Sequence, residues 1–142
     1  MIVETILPTK GVVVPTLPDT ATLAEAVTLL NTHNIGAVVI TDAKDAIAGI
    51  LSERDIVRQL GKDPAGALQK PVATCMTRGV VTCERGTSID EVMERMTNRR
   101  IRHMPVAEAG ALIGIISIGD VVKRKIEVVE HEAEALREYI AS

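Results

Sequence analysis

One seven-residue pattern occurs twice in the chain and constrains its fold more than any other feature. The first copy, GILSERD, covers residues 49–55, and the second, GIISIGD, covers residues 114–120. In each copy an apolar run leads into Ser-x-x-Asp, which is typical of a strand that passes into the capped N terminus of a helix. A helix N terminus offers backbone amides that can bind a small anion. The duplication therefore predicts two related half-sites.

The residues around the two copies predict the same order of elements, β-α-β-β-α, in each half of the chain. The elements expected in the first half are an entry strand at 12–14 closed by Pro15 and Pro18, a helix from 19–22 to 34–36, strands at 37–41 and 47–51, and a helix from Ser52 to Gly61. Those expected in the second half are an entry strand at 80–82, a helix opened by a Ser88–Glu91 capping box, strands at 103–106 and 111–116, and a helix opened by Ser117.

Each repeat is too small to be stable by itself, because a unit of about 50 residues buries little apolar surface. We therefore expect a mixed α/β (α+β) protein in which residues 1–70 and 71–142 form two repeats, related by a pseudo-two-fold axis. The groove between the repeats is then the expected place for a ligand.

The last predicted helix continues beyond its repeat and becomes long. Its apolar residues alternate spacings of three and four, with glutamates on the other faces; they are Ile126, Val129, Ala133, Leu136 and Ile140. Such a helix can pack on its own domain, or it can pair with a helix of a second subunit, because this spacing suits helix pairing. The sequence leaves both interpretations open.

Composition and charge narrow the class of protein. The chain has a net charge of −3, one Tyr and no Trp or Phe, which disfavours nucleic acid, especially single strands that stack on aromatic side chains. It has no apolar run of bilayer length, and its first residues lack the pattern of a signal peptide, so we expect a cytoplasmic protein without a membrane partner. Cys75 and Cys83 fit no zinc or redox motif and are expected to be free thiols. We expect no metal site.

The two repeats resemble CBS (cystathionine-β-synthase) domains. The second repeat carries Ile-Arg-His-Met-Pro-Val at 101–106 before the motif at 114–120, and the first repeat has the same markers in the same order. The resemblance covers roughly residues 10–125, and the chain is similar to a tandem CBS pair, or Bateman module, with no attached catalytic domain. It implies a homodimer that binds AMP, ADP or ATP, or in some members NADH or S-adenosylmethionine, between the repeats. No cofactor is implied.

The repeated Ser-x-x-Asp suits the binding of a nucleotide. Asp55 and Asp120 can accept hydrogen bonds from ribose hydroxyls, as acidic residues do in dinucleotide-binding folds. Ser52 and Ser117 can bring a hydroxyl and free backbone amides to a phosphate. A plain helix cap explains the same four residues without a ligand.

Basic residues distinguish the two expected half-sites. Arg54 can add a charge-assisted phosphate contact, and Gly119 stands at its place in the second repeat, so we expect unequal phosphate affinity. The basic cluster at 95–103 can be a solvated helix end, a set of phosphate contacts or a nucleic-acid patch. We expect the first role for its helical part and the second for Arg100 and Arg102, whereas the acidic total disfavours the third.

The strand before each motif is the expected adenine slot. Its candidate residues are Ile35, Gly36, Ala37 and Val39 in the first repeat and His103, Met104 and Pro105 in the second. Pro105 removes a backbone donor and exposes a strand edge, and Met104 can pack against a flat ring. Val39 stands where the family pattern often has proline, so the first slot departs from that pattern. Thr16 and Thr82 can contact the edge of the adenine or can serve only as turn hydroxyls.

These observations predict a non-enzymatic regulatory module that binds an adenosine nucleotide and senses energy or redox state. The expected mechanism is a ligand-dependent change of conformation that acts on an unknown downstream protein. Two other classes stay open. One is a structural or nucleic-acid-binding dimer whose clefts are vestigial, and the other is an enzyme acting on a nucleotide, although the sequence shows no nucleophile with a base beside it.

Overall fold

The computed structural model describes residues 1–7 and 14–142. The strands in these residues are β1 (Thr16–Pro18), β2 (Ala37–Thr41), β3 (Ile47–Ser52), β4 (His103–Glu108) and β5 (Ala111–Ser117). The helices are α1 (Leu23–His33), α2 (Glu53–Lys62), α3 (Ile89–Arg99) and α4 (Ile118–Ala141), with short 3-10 helices at Val3–Ile6, Ala67–Gln69 and Val72–Thr74. This mixed α+β class, with two small sheets and a long C-terminal helix, confirms the predicted fold class.

The described residues form two compact units. The first unit consists of residues 14–81 with 109–113, and the second consists of residues 1–7, 82–108 and 114–142. The first holds β1, α1, β2, β3 and α2, and the second holds α3, β4, most of β5 and α4. Each unit therefore contains one copy of the helix-strand-strand-helix order that the repeat predicts.

The first unit is built on a three-stranded sheet in the order β1-β2-β3. β1 is parallel to β2, with Thr16 opposite Val39, and β3 is antiparallel to β2, with Ser52 opposite Ala37. The core is built of apolar side chains from the sheet, from α1 and α2 and from the segment at 72–76, and the buried residues of α1 recur at helical spacing. The buried residues from the sheet and α1 include Leu23, Leu30, Val38, Ile40 and Leu51.

Helices α1 and α3 occupy equivalent positions and begin alike. The side chains of Thr22 and Ser88 cap them, each accepting a hydrogen bond from the backbone amide three residues later. The prediction of a full capping box at Ser88 is wrong, because the Glu91 side chain does not accept a hydrogen bond from the backbone amide of Ser88. Glu91 Oε1 instead accepts a hydrogen bond from Arg95 at 2.7 Å, an ion pair one helical turn away.

The first entry strand lies later in the chain than the sequence predicts. β1 begins at Thr16, after Pro15, although Pro15 was expected to close the strand. Residues 12 and 13 of the predicted strand lie outside the described residues. Pro18 can end β1 because proline is tolerated at the edge of a sheet, and β1 is an edge strand.

The second entry strand, predicted at 80–82, does not form. Only Cys83 pairs, in an isolated parallel bridge to Val106, with its amide donating to the carbonyl of Pro105 at 3.0 Å. The ladder cannot continue toward residue 82, because Pro105 has no amide hydrogen to donate. Val39 stands at the equivalent position of the first unit and has one, which allows β1 to extend over three residues.

A short segment docks on each unit just before its first helix. In the first unit the amide of Val72 donates to the carbonyl of Ala21 at 2.8 Å, and in the second the amide of Val3 donates to the carbonyl of Thr87 at 2.9 Å. Both valines are fully buried. Ala21 and Thr87 are equivalent in the two repeats. The N-terminal segment therefore packs on the second unit at the position where residues 70–77 pack on the first. The repeat boundary expected between residues 70 and 71 stays a prediction.

Helix α4 is one continuous helix of 24 residues. Val121 is buried, Val128 is half-buried, and Lys125 donates to Asp90 at the start of α3 at 2.9 Å, so one face of the first three turns packs on the second unit. From residue 129 onward every side chain except Ala133 is exposed. No helix of residues 1–7 and 14–142 combines the length and the apolar character needed to cross a membrane.

Candidate functional site

The first half-site lies where β3 passes into α2. Ser52 caps α2 and Asp55 completes a capping box. One carboxylate oxygen of Asp55, Oδ2, accepts hydrogen bonds from the Ser52 amide at 2.9 Å and the Ser52 hydroxyl at 3.1 Å, and the Asp55 amide donates back to Ser52 Oγ at 3.3 Å. The other oxygen, Oδ1, is 4.0 Å from the exposed guanidinium of Arg58. The helix cap therefore uses only one of the two oxygens.

The second half-site repeats this arrangement where β5 passes into α4. Asp120 Oδ2 accepts a hydrogen bond from the Ser117 amide at 2.9 Å, and the Asp120 amide donates to Ser117 Oγ at 3.1 Å. Asp120 is exposed, whereas the Asp55 side chain is only 13% exposed. Among the described residues, Oδ1 of Asp120 has neither a hydrogen bond nor an ion pair. Each half-site thus keeps a carboxylate oxygen that the helix cap does not use.

The first turn of α2 has fewer free amides than the sequence predicts. The amide of Glu53 donates to the carbonyl of Gly36 at 3.0 Å, and the amide of Asp55 is used by the capping box. Within residues 1–7 and 14–142, the amide of Arg54 is the one in this turn that donates no hydrogen bond. A phosphate at this helix start would therefore have the Arg54 amide, the Ser52 hydroxyl and the Arg54 guanidinium as its donors.

The first turn of α4 is arranged in the same way. The amide of Ile118 donates to the carbonyl of Arg102 at 2.8 Å, and the amide of Asp120 is used by its capping box. In the part of the chain that the structure describes, this leaves the amide of Gly119. Arg102 and Gly36 are equivalent residues of the two repeats, so in both units the same carbonyl position accepts a hydrogen bond from the first amide of the helix. This role was not predicted from the sequence, because a backbone carbonyl that accepts a hydrogen bond is not marked by any particular side chain.

The adenine-slot residues of the first repeat lie beside the helix start. The register places Thr16 opposite Val39 and Ala37 opposite Ser52. Thr16 is exposed, and Ile35 and Gly36 are half-buried, whereas Ala37 and Val39 are buried with at most 2% of their surface exposed. The accessible groups of this slot are therefore the Thr16 side chain and the backbone around Gly36.

In the second repeat, the adenine-slot residues are the first three residues of β4. His103 is half-buried, and Met104 and Pro105 are buried, Met104 with no exposed surface. The Met104 side chain was expected to pack against a flat ring, but the whole residue is buried and presents no surface to a ligand. Thr82 is half-buried, and its carbonyl accepts a hydrogen bond from Arg95 at 2.9 Å. Arg95 was expected at a solvated helix end and instead fixes the chain at Thr82.

Three arginines named from the sequence are available to an anion. Arg54, Arg100 and Arg102 are exposed, and none forms an ion pair or a side-chain hydrogen bond with another described residue. Arg100 ends α3 in the left-handed conformation with φ 54°. Arg58 was not among the predicted site residues, although its spacing of three residues from Asp55 on a helix is a signal that identifies it.

The two cysteines are free thiols, as expected from the sequence. Cys83 is buried, and burial raises its pKa from 9.0 to about 11, although the positive charge of Arg95 acts in the opposite direction. A thiol with such a pKa is protonated at neutral pH and is a poor nucleophile. Residues 1–7 and 14–142 contain no group of three or more His, Cys, Asp or Glu side chains placed to hold a metal ion.

Two units of one repeat, each with a strand that passes into a capped helix, define a tandem α+β repeat protein. A family model described as the CBS domain matches residues 3–62 and 72–127. The chain therefore belongs to the CBS-domain family and carries two copies of the domain.

The relatives agree with this assignment. The chain is 34% identical over 123 residues to the mitochondrial CBS domain-containing protein CBSX3 of Arabidopsis thaliana, covering 84% of this chain and 60% of that protein. It is 32% identical over 108 residues to an uncharacterised 17.7 kDa protein of Acidianus ambivalens, covering 75% of this chain and 64% of the relative. The chain thus spans 60% to 64% of the length of these two curated relatives.

Solved structures support the same fold. The crystal structure of a CBS-domain containing protein from Agrobacterium tumefaciens is similar with a TM-score of 0.81 and 45% identity, covering 87% of this chain and 92% of that one. The CBS domain pair of protein MJ0100, crystallised in complex with 5-methylthioadenosine and S-adenosyl-L-methionine, is similar with a TM-score of 0.74 and 25% identity. That match covers 87% of this chain and 94% of the other.

Proposed function

We propose that this chain is a regulatory module that binds an adenosine-containing ligand at its two half-sites. The proposed ligands are AMP, ADP or ATP, with NADH and S-adenosylmethionine as further candidates, and no cofactor is required. A CBS pair of similar fold was crystallised with two adenosine derivatives, which supports the adenosine class and leaves the particular ligand to experiment.

The observation that carries this proposal is the pair of carboxylates at the helix starts. Each Asp uses Oδ2 for the helix cap, and each has a second oxygen that is not part of the cap. An anionic oxygen of fixed orientation is a strong acceptor for a ribose hydroxyl, and the cap supplies the fixed orientation.

The arginines support a ligand that carries phosphate. Arg54 projects from the residue whose amide is free at the start of α2, so its guanidinium and that amide belong to one position. Arg102 lies immediately before β4 in the second repeat, and its own carbonyl closes the start of α4. The first half-site therefore combines an amide and a cation at one residue, whereas the second has Gly119 at that position and depends on Arg100 and Arg102.

We propose that this module is not an enzyme and that it acts by population shift. A ligand that binds two conformations with different affinity changes their populations, and a partner protein can then detect the change. We further propose a homodimeric, cytoplasmic protein with a downstream protein partner that the chain itself does not identify.

The test is isothermal titration calorimetry of the full chain with AMP, ADP, ATP, NADH and S-adenosylmethionine. At least one ligand should bind, and Asp55→Ala and Asp120→Ala should each weaken binding at their own half-site by about tenfold to a hundredfold. This range corresponds to the loss of a hydrogen bond to a charged group. Both substitutions also break a capping box and reduce stability.

Matched controls separate the two effects. Thr22→Ala removes the cap of α1 in the first unit, and Ser88→Ala removes the cap of α3 in the second, without touching either half-site. These variants should lose similar stability, about 1 kcal/mol, and keep the wild-type affinity. The proposal fails if no ligand binds at millimolar concentration, in which case a structural or nucleic-acid-binding dimer with vestigial clefts is favoured. It also fails if the controls weaken binding as much as the Asp variants.

A further inference from the structure

The outer part of α4 presents an apolar stripe that its own unit does not cover. The stripe is exposed along its whole length and consists of Val122, Ile126, Val129, Leu136 and Ile140, with the half-buried Ala133 between them. The exposed fractions of Val122, Val129 and Ile140 are 41%, 50% and 73%. At about 100° per residue, this stripe lies roughly a quarter turn from the face of Val121 that packs on the second unit. The helix therefore has two separate apolar faces and only one of them is covered.

We propose that this stripe pairs in parallel and in register with the same stripe of a second copy of the chain. Its spacing is that of a coiled coil, with Ile126, Ala133 and Ile140 at the first apolar position of the heptad. Val122, Val129 and Leu136 fall at the second. Within parallel coiled coils, β-branched Ile126 and Ile140 at the first position together with Leu136 at the second favour two strands. The projecting part, from residue 129 to the end of α4, is too short to be a stable helix in water by itself, and pairing would stabilise it.

The charges beside the stripe favour the parallel orientation. In a parallel pair, Glu132 of each copy faces Arg137 of the other, and Lys125 faces Glu130, so all four flanking contacts join opposite charges. Glu132 and Arg137 are exposed and have no ion-pair partner among the described residues. Lys125 already donates a hydrogen bond to Asp90, so the Glu132–Arg137 contact contributes most of the preference for the parallel orientation.

The antiparallel alternative fits these charges less well. A full antiparallel overlap, centred on residue 131, brings Glu130 of each copy against itself and Glu132 against itself, which is repulsive. An overlap shifted by one heptad restores opposite charges but leaves two apolar residues uncovered, Leu136 and Ile140 for a shift in one direction and Val122 and Ile126 for a shift in the other. The glutamates also disfavour an anionic membrane as the partner of this surface. A second copy in parallel is the partner that satisfies both the apolar and the charged positions.

Charge reversal tests the orientation, and sedimentation velocity over a wide concentration range is the measurement. Glu132→Arg and Arg137→Glu should each weaken self-association by about tenfold, because each creates two like-charge contacts per dimer. The double variant should return to within about threefold of the wild type. Glu134→Arg is the matched control, since it makes the same charge change on the outer face and should have no effect. The proposal is overturned if the single variants associate like the wild type, or if the double variant is weaker than both.

A cross-link tests the register directly. In a background of Cys75→Ser and Cys83→Ala, Ala133→Cys should form an intermolecular disulfide under mild oxidation, because identical residues at this heptad position face each other only in a parallel pair in register. Glu134→Cys, on the outer face, should remain reduced under the same conditions. Equal cross-linking of the two variants, or none with Ala133→Cys, contradicts the proposal. These outcomes do not depend on nucleotide, so they are distinguishable from those that test the proposed function.

Discussion

Replacing Gly49 by alanine should destabilise the protein far more than replacing Gly114, although the two glycines are equivalent in the repeats. A Cβ at Gly49 would lie 2.5 Å from the sulfur of Met76 and 2.9 Å from the carbonyl oxygen of Thr77. That carbonyl cannot move freely, because Thr77 and Ile50 exchange two backbone hydrogen bonds of 3.0 and 2.9 Å. Overpacking of this kind costs about 1–3 kcal/mol, and a fixed backbone oxygen favours the upper part of the range.

At Gly114 the new Cβ would meet one atom of the described residues within 4 Å, the Cδ2 of Leu7 at 2.7 Å. This atom is the end of a flexible side chain and can rotate away. Alanine is intrinsically better than glycine in a strand by about 0.5–1 kcal/mol, which offsets the remaining cost. We therefore expect a change below about 1 kcal/mol for Gly114→Ala.

Urea unfolding followed by far-UV circular dichroism measures this difference. Gly61→Ala in α2 is the control, because its Cβ would have no neighbour within 4 Å in residues 1–7 and 14–142, and alanine should raise stability by up to about 1 kcal/mol. The double variant Gly49→Ala with Met76→Ala should remain less stable than Met76→Ala alone, since the contact with the Thr77 carbonyl persists. Equal losses for Gly49→Ala and Gly114→Ala would refute this reasoning.

Three further predictions follow from single residues. The pKa of Cys83 is about 11 in the folded protein and 9.0 for a free thiol. The free energy of unfolding, measured by urea titration, should therefore fall by up to about 3 kcal/mol as the pH rises from about 9 to 11. Cys83→Ala should abolish that fall. With iodoacetamide at pH 8, mass spectrometry should find Cys75 modified before Cys83, and the reverse order would contradict the burial of Cys83. Gly119→Arg should strengthen ATP binding at the second half-site in calorimetry by about tenfold, whereas Gly119→Gln should not. Among the atoms that the structure describes, a Cβ at residue 119 would have only Ser117 Oγ within 4 Å, at 3.5 Å.

The elements with strong local signals were predictable from the sequence. β2 is observed at Ala37–Thr41, as expected from its β-branched run, and the capped starts of α2 and α4 follow from Ser-x-x-Asp. The continuation of α4 beyond the repeat was also predictable from the three-four spacing of its apolar residues. In each of these cases the signal lies within the element itself.

The predictions that were wrong concern features that depend on residues far away in the sequence. The strand expected at 80–82 fails because Pro105, more than twenty residues later, cannot donate to it. The capping box expected at Ser88 is incomplete because Arg95 binds the carboxylate of Glu91. The free amides expected at the helix starts are reduced to one each because the carbonyls of Gly36 and Arg102 reach them. Such tertiary partners leave no periodic signal in the sequence.

A two-dimensional 1H–15N NMR titration with AMP and ATP tests the central claim most directly. If each helix start binds phosphate through its one free amide, the signals of Arg54 and Gly119 should show the largest shifts. The amides of Glu25 and Glu91, at the capped starts of α1 and α3, should remain unchanged. Saturable shifts at Arg54 and Gly119 are the predicted result. Shifts confined to other residues, or none at millimolar nucleotide, would contradict the account.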